Sequence, residues 1–239
     1  MSDAGLQERI AGIRERIAAA AKGAGRNADD ITLIAVSKTH PAEAIRAAFE
    51  LGIRHFGENR VQEWEGKRGG VEELGGEWHL IGHLQSNKAA RAAKLFSSVD
   101  SIDDFALAQR LDRARGELKL EKKLRVLIEV RVAPEENKSG VEPAELAALA
   151  EKICTLAQLD WCGLMCIPPL LGDPENVRRY FSDLRNLKEN LERSLGKKLP
   201  VLSMGMSHDF EVAIEEGATE VRVGTALFGT RAIPAQTKV

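Results

Sequence analysis

Lys38 ends a short apolar run, Ile31-Thr-Leu-Ile-Ala-Val-Ser37, and leads at once into Thr39-His40-Pro41 and a helical pattern. An uncharged run rich in Ile, Leu and Val reads as a strand buried on both faces, as in a parallel sheet. A lysine at the carboxyl end of such a strand sits where a barrel or an open α/β sheet places its chemistry. Partial desolvation there favours the neutral amine, the form that makes a Schiff base with an aldehyde. A surface lysine in a βα loop is the plainer alternative, and this segment alone leaves both open.

The other strand ends carry a consistent chemistry. After the second candidate strand comes Gly57-Glu58-Asn59-Arg60, after the third Gly82-His-Leu-Gln-Ser-Asn-Lys88, and after the fifth Asn137-Lys-Ser-Gly140. Strand six gives Met165-Cys-Ile-Pro-Pro169, strand seven Ser203-Met-Gly-Met-Ser207, and strand eight Arg222-Val-Gly224-Thr225. Glycines allow close approach of the backbone to a ligand, and hydroxyls supply donors to an anion. Barrels often bind phosphate after strands seven and eight, on loop amides and a helix N-terminus. Two tight turns with cap residues would produce similar sequences.

A reactive lysine facing a phosphate cradle across one mouth is the arrangement pyridoxal phosphate requires, held by an imine at one end and by its phosphate at the other. Arg222 would lie between the two. Arginine keeps its proton, so beside the pyridine nitrogen it can only donate, which weakens the electron sink that transamination needs. A salt bridge at the barrel rim is the alternative role for this arginine.

These residues need a scaffold that brings strand ends together. Candidate strands are Ile31–Ser37, Ile53–Gly57, Trp78–Gly82, Ser97–Val99, Leu124–Val132, Leu159–Met165, Pro200–Ser203 and Glu220–Val223. Amphipathic helices fit between them at Pro41–Leu51, Val61–Leu74, Lys88–Phe96, Asp104–Leu118, Pro143–Ala157, Asp173–Leu195 and Asp209–Gly217. A further helix opens the chain, with Leu6, Ile10, Ile13 and Ile17 on one face, stopped by Gly23-Ala-Gly25. Strands alternating with helices in this number predict an α/β fold, a closed (β/α)8 barrel of the TIM type, preceded by a helix. A doubly wound open sheet is the alternative. No Pro/Gly/Ser-rich linker divides residues 1–239, so a single domain is expected.

Composition narrows the class. The net charge of −2 gives no electrostatic case for nucleic acid or an acidic membrane as the main partner. No apolar run approaches the roughly 20 residues a bilayer span needs, and the N-terminus mixes Glu8, Arg9, Arg14, Glu15 and Arg16 among its apolar residues, unlike a signal peptide. Three cysteines, Cys154, Cys162 and Cys166, form no disulfide framework. A cytoplasmic location is expected. His79 and His83 are four apart, but on a strand and the turn after it that spacing does not make a metal pair. Tyr180, the lone tyrosine, falls mid-helix and reads as packing, as do Leu184, Leu187, Leu191 and Leu195.

Several stretches together resemble the pyridoxal phosphate homeostasis proteins, also labelled proline synthase co-transcribed bacterial homologues. They are Leu33-Ile-Ala-Val-Ser-Lys-Thr39, Phe56-Gly-Glu-Asn59, Trp78-His-Leu-Ile-Gly-His-Leu-Gln-Ser-Asn-Lys88, Lys138-Ser-Gly140, Gly163-Leu-Met165, Ser203-Met-Gly-Met-Ser207 and Val221-Arg-Val-Gly-Thr-Ala-Leu-Phe-Gly229. The resemblance implies a barrel similar to the N-terminal domain of alanine racemase, with pyridoxal 5'-phosphate on Lys38. It implies Asn59 on the cofactor's side, Ser203, Ser207, Gly224 and Thr225 at the phosphate, Arg222 at the pyridine nitrogen, and a role for Lys138 in transfer or release. Arg60, His208 and His40 depart from residues common in that family.

The family is regarded as a non-catalytic carrier and regulator of the intracellular cofactor pool; apo forms of pyridoxal phosphate enzymes are the expected transient recipients. Alanine racemase pairs its lysine with a tyrosine supplied through a second domain and a partner subunit. This chain ends about ten residues after Gly229 and places no tyrosine to substitute. Robust racemisation is therefore not expected, and a monomer is. A weak racemase or lyase using Lys38 as its one base is the competing reading.

Overall fold

The structure is a computed structural model and describes residues 3–133 and 139–229. Eight parallel strands close into a barrel in sequential order: β1 (Thr32–Val36), β2 (His55–Glu58), β3 (Glu77–Leu80), β4 (Ser98–Ile102), β5 (Leu124–Glu129), β6 (Leu159–Met165), β7 (Val201–Met206) and β8 (Glu220–Val223). β8 returns to pair with β1, Thr32 opposite Glu220 and Ile34 opposite Arg222. Around it run α1 (Asp3–Gly23), α2 (Ala42–Glu50), α3 (Val61–Lys67), α4 (Ala89–Leu95), α5 (Phe105–Glu117), α6 (Leu146–Ile153), α7 (Arg178–Leu195), α8 (Phe210–Glu215) and α9 (Thr225–Phe228). The expected barrel and its leading helix are present. Among the described residues no helix is long and apolar enough to cross a membrane.

Several boundaries differ from the sequence reading, each for a local reason. The helix expected over Val61–Leu74 stops at Lys67 and continues as two 3-10 turns, Arg68–Gly70 and Glu72–Leu74. Gly66, Gly69 and Gly70 weaken α-helix there. β5 stops at Glu129, because Val130 bridges to Val141 of the returning loop instead of extending the ladder. β4 and β7 run longer than their apolar cores, to Ile102 and Met206, because polar Asp100, Ser101 and Ser203 point into buried surroundings. The four-residue α9 gave no periodic signal of its own.

α1 is held by its apolar stripe and by its cations. Leu6, Ile10, Ile13 and Ile17 are all buried. Arg9 Nε donates to Leu227 O at 2.7 Å, Arg16 pairs with Glu211 at 2.5 Å, and beyond the helix Arg26 reaches Ile214 O at 2.7 Å. α1 thus braces α8 and α9, the elements that follow β7 and β8. On the opposite side Trp64 stacks on Trp78 with ring centroids 4.0 Å apart, and Trp78 on Phe56 at 5.0 Å, wedging α3 against β2 and β3.

The strand period of two sends alternate residues of each strand into the barrel. At its amino-terminal end these are polar. Arg125 Nη2 lies 2.5 Å from Glu220 Oε1, His79 Nδ1 lies 3.1 Å from Asp100 Oδ2, and His55 Nδ1 lies 3.0 Å from His79 Nε2. His79, Asp100 and Glu220 stand close enough to share a metal ion. Arg125 already supplies the cation, its Nη1 3.4 Å from His79 Nδ1. Above this floor is an apolar layer. A Cβ on Gly57 would come within 3.0 Å of Ile81 Cδ1 and 3.2 Å of Ile34 Cγ2.

The floor has measurable consequences. Replacing Arg125 by Met strands the buried Glu220 carboxylate and should lower stability by about 3–5 kcal/mol in denaturant unfolding, whereas Arg125→Met with Glu220→Gln should recover part of the loss. Burial, followed by the neighbouring His79, pushes the His55 imidazole down to about 4. The unfolded chain protonates near pH 6.5 and the folded one near 4, so stability should be full above pH 6.5 and fall progressively as pH drops through that window. His55→Gln should flatten that slope in unfolding titrations.

Candidate functional site

The carboxyl ends of the strands surround a cavity of about 730 Å³, within the usual size for a small-molecule site. Its lining includes Lys38, Asn59, Ser207, Arg222, Gly224 and Thr225. Six of the seven residues singled out from the sequence thus face one space. Ser203 does not line it. Lys138 and Asn137 lie outside the described residues.

Ser203, expected at the phosphate, sits behind the lining residues and bonds to one of them. It is fully buried, and its Oγ accepts from Arg222 Nη1 at 2.8 Å. Arg222 Nη2 donates to Cys166 O at 2.8 Å. The guanidinium is therefore fixed from β6 and β7, with the residue itself only 3% exposed while bordering the cavity. Arg222 makes no carboxylate salt bridge among the described residues, so the rim ion pair considered from the sequence is not its role. Burial pushes the adjacent Cys166 thiol up to about 12, which keeps it protonated and unreactive.

The β7 and β8 ends form one unit. Gly205 has φ +91°, and a Cβ there would approach Ala213 Cβ to 2.6 Å and Phe210 Cα to 2.9 Å, so glycine is required for the turn to fold onto α8. Buried Asp209 closes the turn, its Oδ1 accepting from Met206 N at 2.6 Å. Ser207 Oγ then accepts from Gly224 N at 3.2 Å and Ala226 N at 3.4 Å. Its own O–H is left to donate, beside the Thr225 hydroxyl and the first amides of α9. This donor set suits the doubly charged oxygens of a phosphate ester.

Lys38 stands across the mouth, half-buried in a turn whose next residue, Thr39, has φ +66°. His40 stacks on Phe228 of α9 with centroids 4.7 Å apart, tying the lysine's turn to the phosphate side. Asn59 follows β2, and Gly82 lets it lie close, since a Cβ on Gly82 would sit 2.5 Å from Asn59 O. Glu129, Arg131, His83, Val36, Ile81, Met206 and Ile167 complete much of the wall. Glu129 and Arg131 end the β5 region, where the sequence pointed to no residue before the Asn137 loop; a charged residue closing an apolar strand was the available signal. His83 pairs with Asp103 at 3.5 Å, far from His79 in the floor.

A carbonyl group at Lys38, a planar ring along Asn59 and Arg222, and a phosphate at Ser207, Gly224 and Thr225 fit this cavity by donor type. Two substitutions probe the construction. Gly205→Ala should cost roughly 2 kcal/mol or more in unfolding experiments, because both the positive φ and the Phe210 contact oppose it. Ser203→Ala removes an acceptor from a buried guanidinium and should cost about 1–2 kcal/mol of stability, with weakened retention of any ligand at Arg222 in equilibrium dialysis.

Comparison with known proteins agrees with this geometry. The family described as alanine racemase, N-terminal domain, matches residues 10–232. A protein of Aquifex aeolicus named pyridoxal phosphate homeostasis protein is 46% identical over 224 residues, 94% of this chain and 97% of its own length. One of the same name in Pseudomonas aeruginosa is 45% identical over 226 residues, 95% of this chain and 96% of its own. Among solved structures, PipY of Synechococcus elongatus without its pyridoxal phosphate superposes with a TM-score of 0.85 at 42% identity. With pyridoxal phosphate bound, the TM-score is 0.83 at 41% identity. Each PipY comparison covers 94% of this chain and 100% of the other. The chain belongs to the alanine racemase N-terminal domain family, among its pyridoxal phosphate homeostasis proteins.

Proposed function

We propose that this chain holds pyridoxal 5'-phosphate as a Schiff base with Lys38 and serves as a single-domain, monomeric cytoplasmic carrier that releases it to apo-enzymes. One observation carries the reading: Lys38, Arg222 and the Ser207/Gly224/Thr225 cradle line the same cavity. Its relatives' names and the pyridoxal phosphate in PipY support it. When bound, the cofactor would contribute an aldehyde that condenses reversibly with an amine.

The protein's own groups account for holding without turnover. Lys38 supplies the amine, and the Ser207 and Thr225 hydroxyls supply donors to the anion, with Ser207 held in place by the Gly224 and Ala226 amides. Arg222 presents a donor that keeps its proton, so a ring nitrogen beside it stays unprotonated. Tyr180, the chain's one tyrosine, is buried on α7 beside Arg179 and is not among the residues lining the mouth. No tyrosine hydroxyl is therefore available there to take or give the second proton of a racemisation.

Lys38→Ala should abolish the visible absorbance of lysine-bound cofactor and the borohydride-trapped adduct in mass spectrometry. Unchanged absorbance and stoichiometry would sink the assignment. In heavy water, cofactor-loaded protein should exchange the α-proton of alanine no faster than free pyridoxal phosphate. Exchange well above free cofactor and above Lys38→Ala would establish the competing racemase or lyase reading.

A further inference from the structure

The turn that presents Lys38 is held from outside the cavity by a second lysine. Lys67, the last residue of α3, places Nζ 2.9 Å from Ser37 O and 3.2 Å from His40 O, the carbonyls that flank the Lys38-Thr39 pair. The same Nζ lies 2.7 Å from Glu58 Oε1 and 3.2 Å from Glu63 Oε1. Ser37 Oγ donates to that Glu58 oxygen at 2.5 Å, and Glu63 Oε1 also accepts the Thr39 amide. Glu58 is fully buried and the Lys67 side chain 11% exposed. Neither lines the cavity.

This arrangement does more than a stabilising contact requires. A buried ion pair is seldom better for stability than two apolar side chains of similar size, and Glu58 Oε2 is buried without a partner among the described residues. Thr39, a β-branched residue at φ +66°, sits in a conformation that costs about 1 kcal/mol or more unless its surroundings impose it. Lys67 and Glu63 bond to the carbonyls and amide of that turn. α3 also starts directly after Asn59-Arg60, so one short helix ties the β1 and β2 ends together.

We propose that Lys67, neutralised by Glu58, is a positioning residue that clamps the Ser37–His40 turn and so sets the direction in which Lys38 enters the cavity. The inference rests on the Lys38 Schiff base proposed above and extends it to residues that never touch the ligand.

The test uses the full chain and pyridoxal phosphate. Lys67→Met alone leaves the Glu58 carboxylate stranded and should lower Tm. Glu58→Gln with Lys67→Met removes both charges, and Tm should recover toward wild type while the clamp stays broken. The double variant should bind pyridoxal phosphate about tenfold more weakly, the equivalent of one to two lost hydrogen bonds. The pH midpoint of its visible lysine-bound band should also shift from the wild-type position. Wild-type affinity and pH profile in the double variant would overturn the proposal. Should that variant not fold, Glu63→Ala, at a partly exposed site, releases the Thr39 amide and one of the two carboxylates on Lys67 while leaving Glu58 in place, and should weaken binding about threefold, with an unchanged value overturning the clamp. A wild-type protein with no visible band would instead defeat the Schiff-base reading and the inference with it.

Discussion

Arg125 and Glu220 meet at 2.5 Å across the floor of the barrel, and the rest of the molecule depends on charges of this kind being balanced inside a closed sheet. A parallel barrel has no edge, so an inward side chain cannot escape to solvent sideways. β8 reads Glu220-Val-Arg-Val223, and the period of two commits both charged residues to the interior. Glu220 is balanced below by Arg125. Arg222 makes no direct carboxylate ion pair among the described residues and is held above by neutral acceptors, Ser203 Oγ and Cys166 O, with buried Asp209 near enough to feel its charge. That asymmetry separates a structural end of the barrel from a functional one.

At the functional end, cations are spent on geometry and on ligand separately. Lys67 is enclosed by carbonyls and carboxylates outside the cavity, while Lys38 and Arg222 face into it. In low dielectric a cation enclosed by carbonyls and carboxylates is fixed in place, whereas a donor that borders the cavity is within reach of a ligand. The carboxylate of Glu58 illustrates the cost: burial raises its proton affinity, and Lys67 and Ser37 act against that shift. Glu58 and Glu63 lie behind the wall, while Glu129 is the acid that borders the cavity, alongside the cations of Lys38, Arg131 and Arg222.

The two sides of the mouth are not independent. His40 stacks on Phe228, and Arg9 of α1 holds Leu227 O. Displacing α9 would therefore disturb both the phosphate cradle and the Lys38 turn. The leading helix, outside the repeating strand-helix pattern, has its reason here: it fixes the last short helix, which lacks the length to hold itself in place.

The amino-acid order alone determined the (β/α)8 rhythm, the apolar stripe of α1, and the strand-end positions of Lys38, Asn59, Ser207, Arg222, Gly224 and Thr225. These are readable because hydrophobic periodicity and turn residues are local properties. Only the tertiary structure decided that Ser203 turns away to hold Arg222, that His79 belongs to the floor with Asp100 and not beside His83, and that Lys67 reaches the Lys38 turn. Ser203 and Arg222 are nineteen residues apart, and Ser37 and Lys67 thirty. Contacts at such separations arise from strand register and barrel closure, which carry no trace in the spacing of residues along the chain.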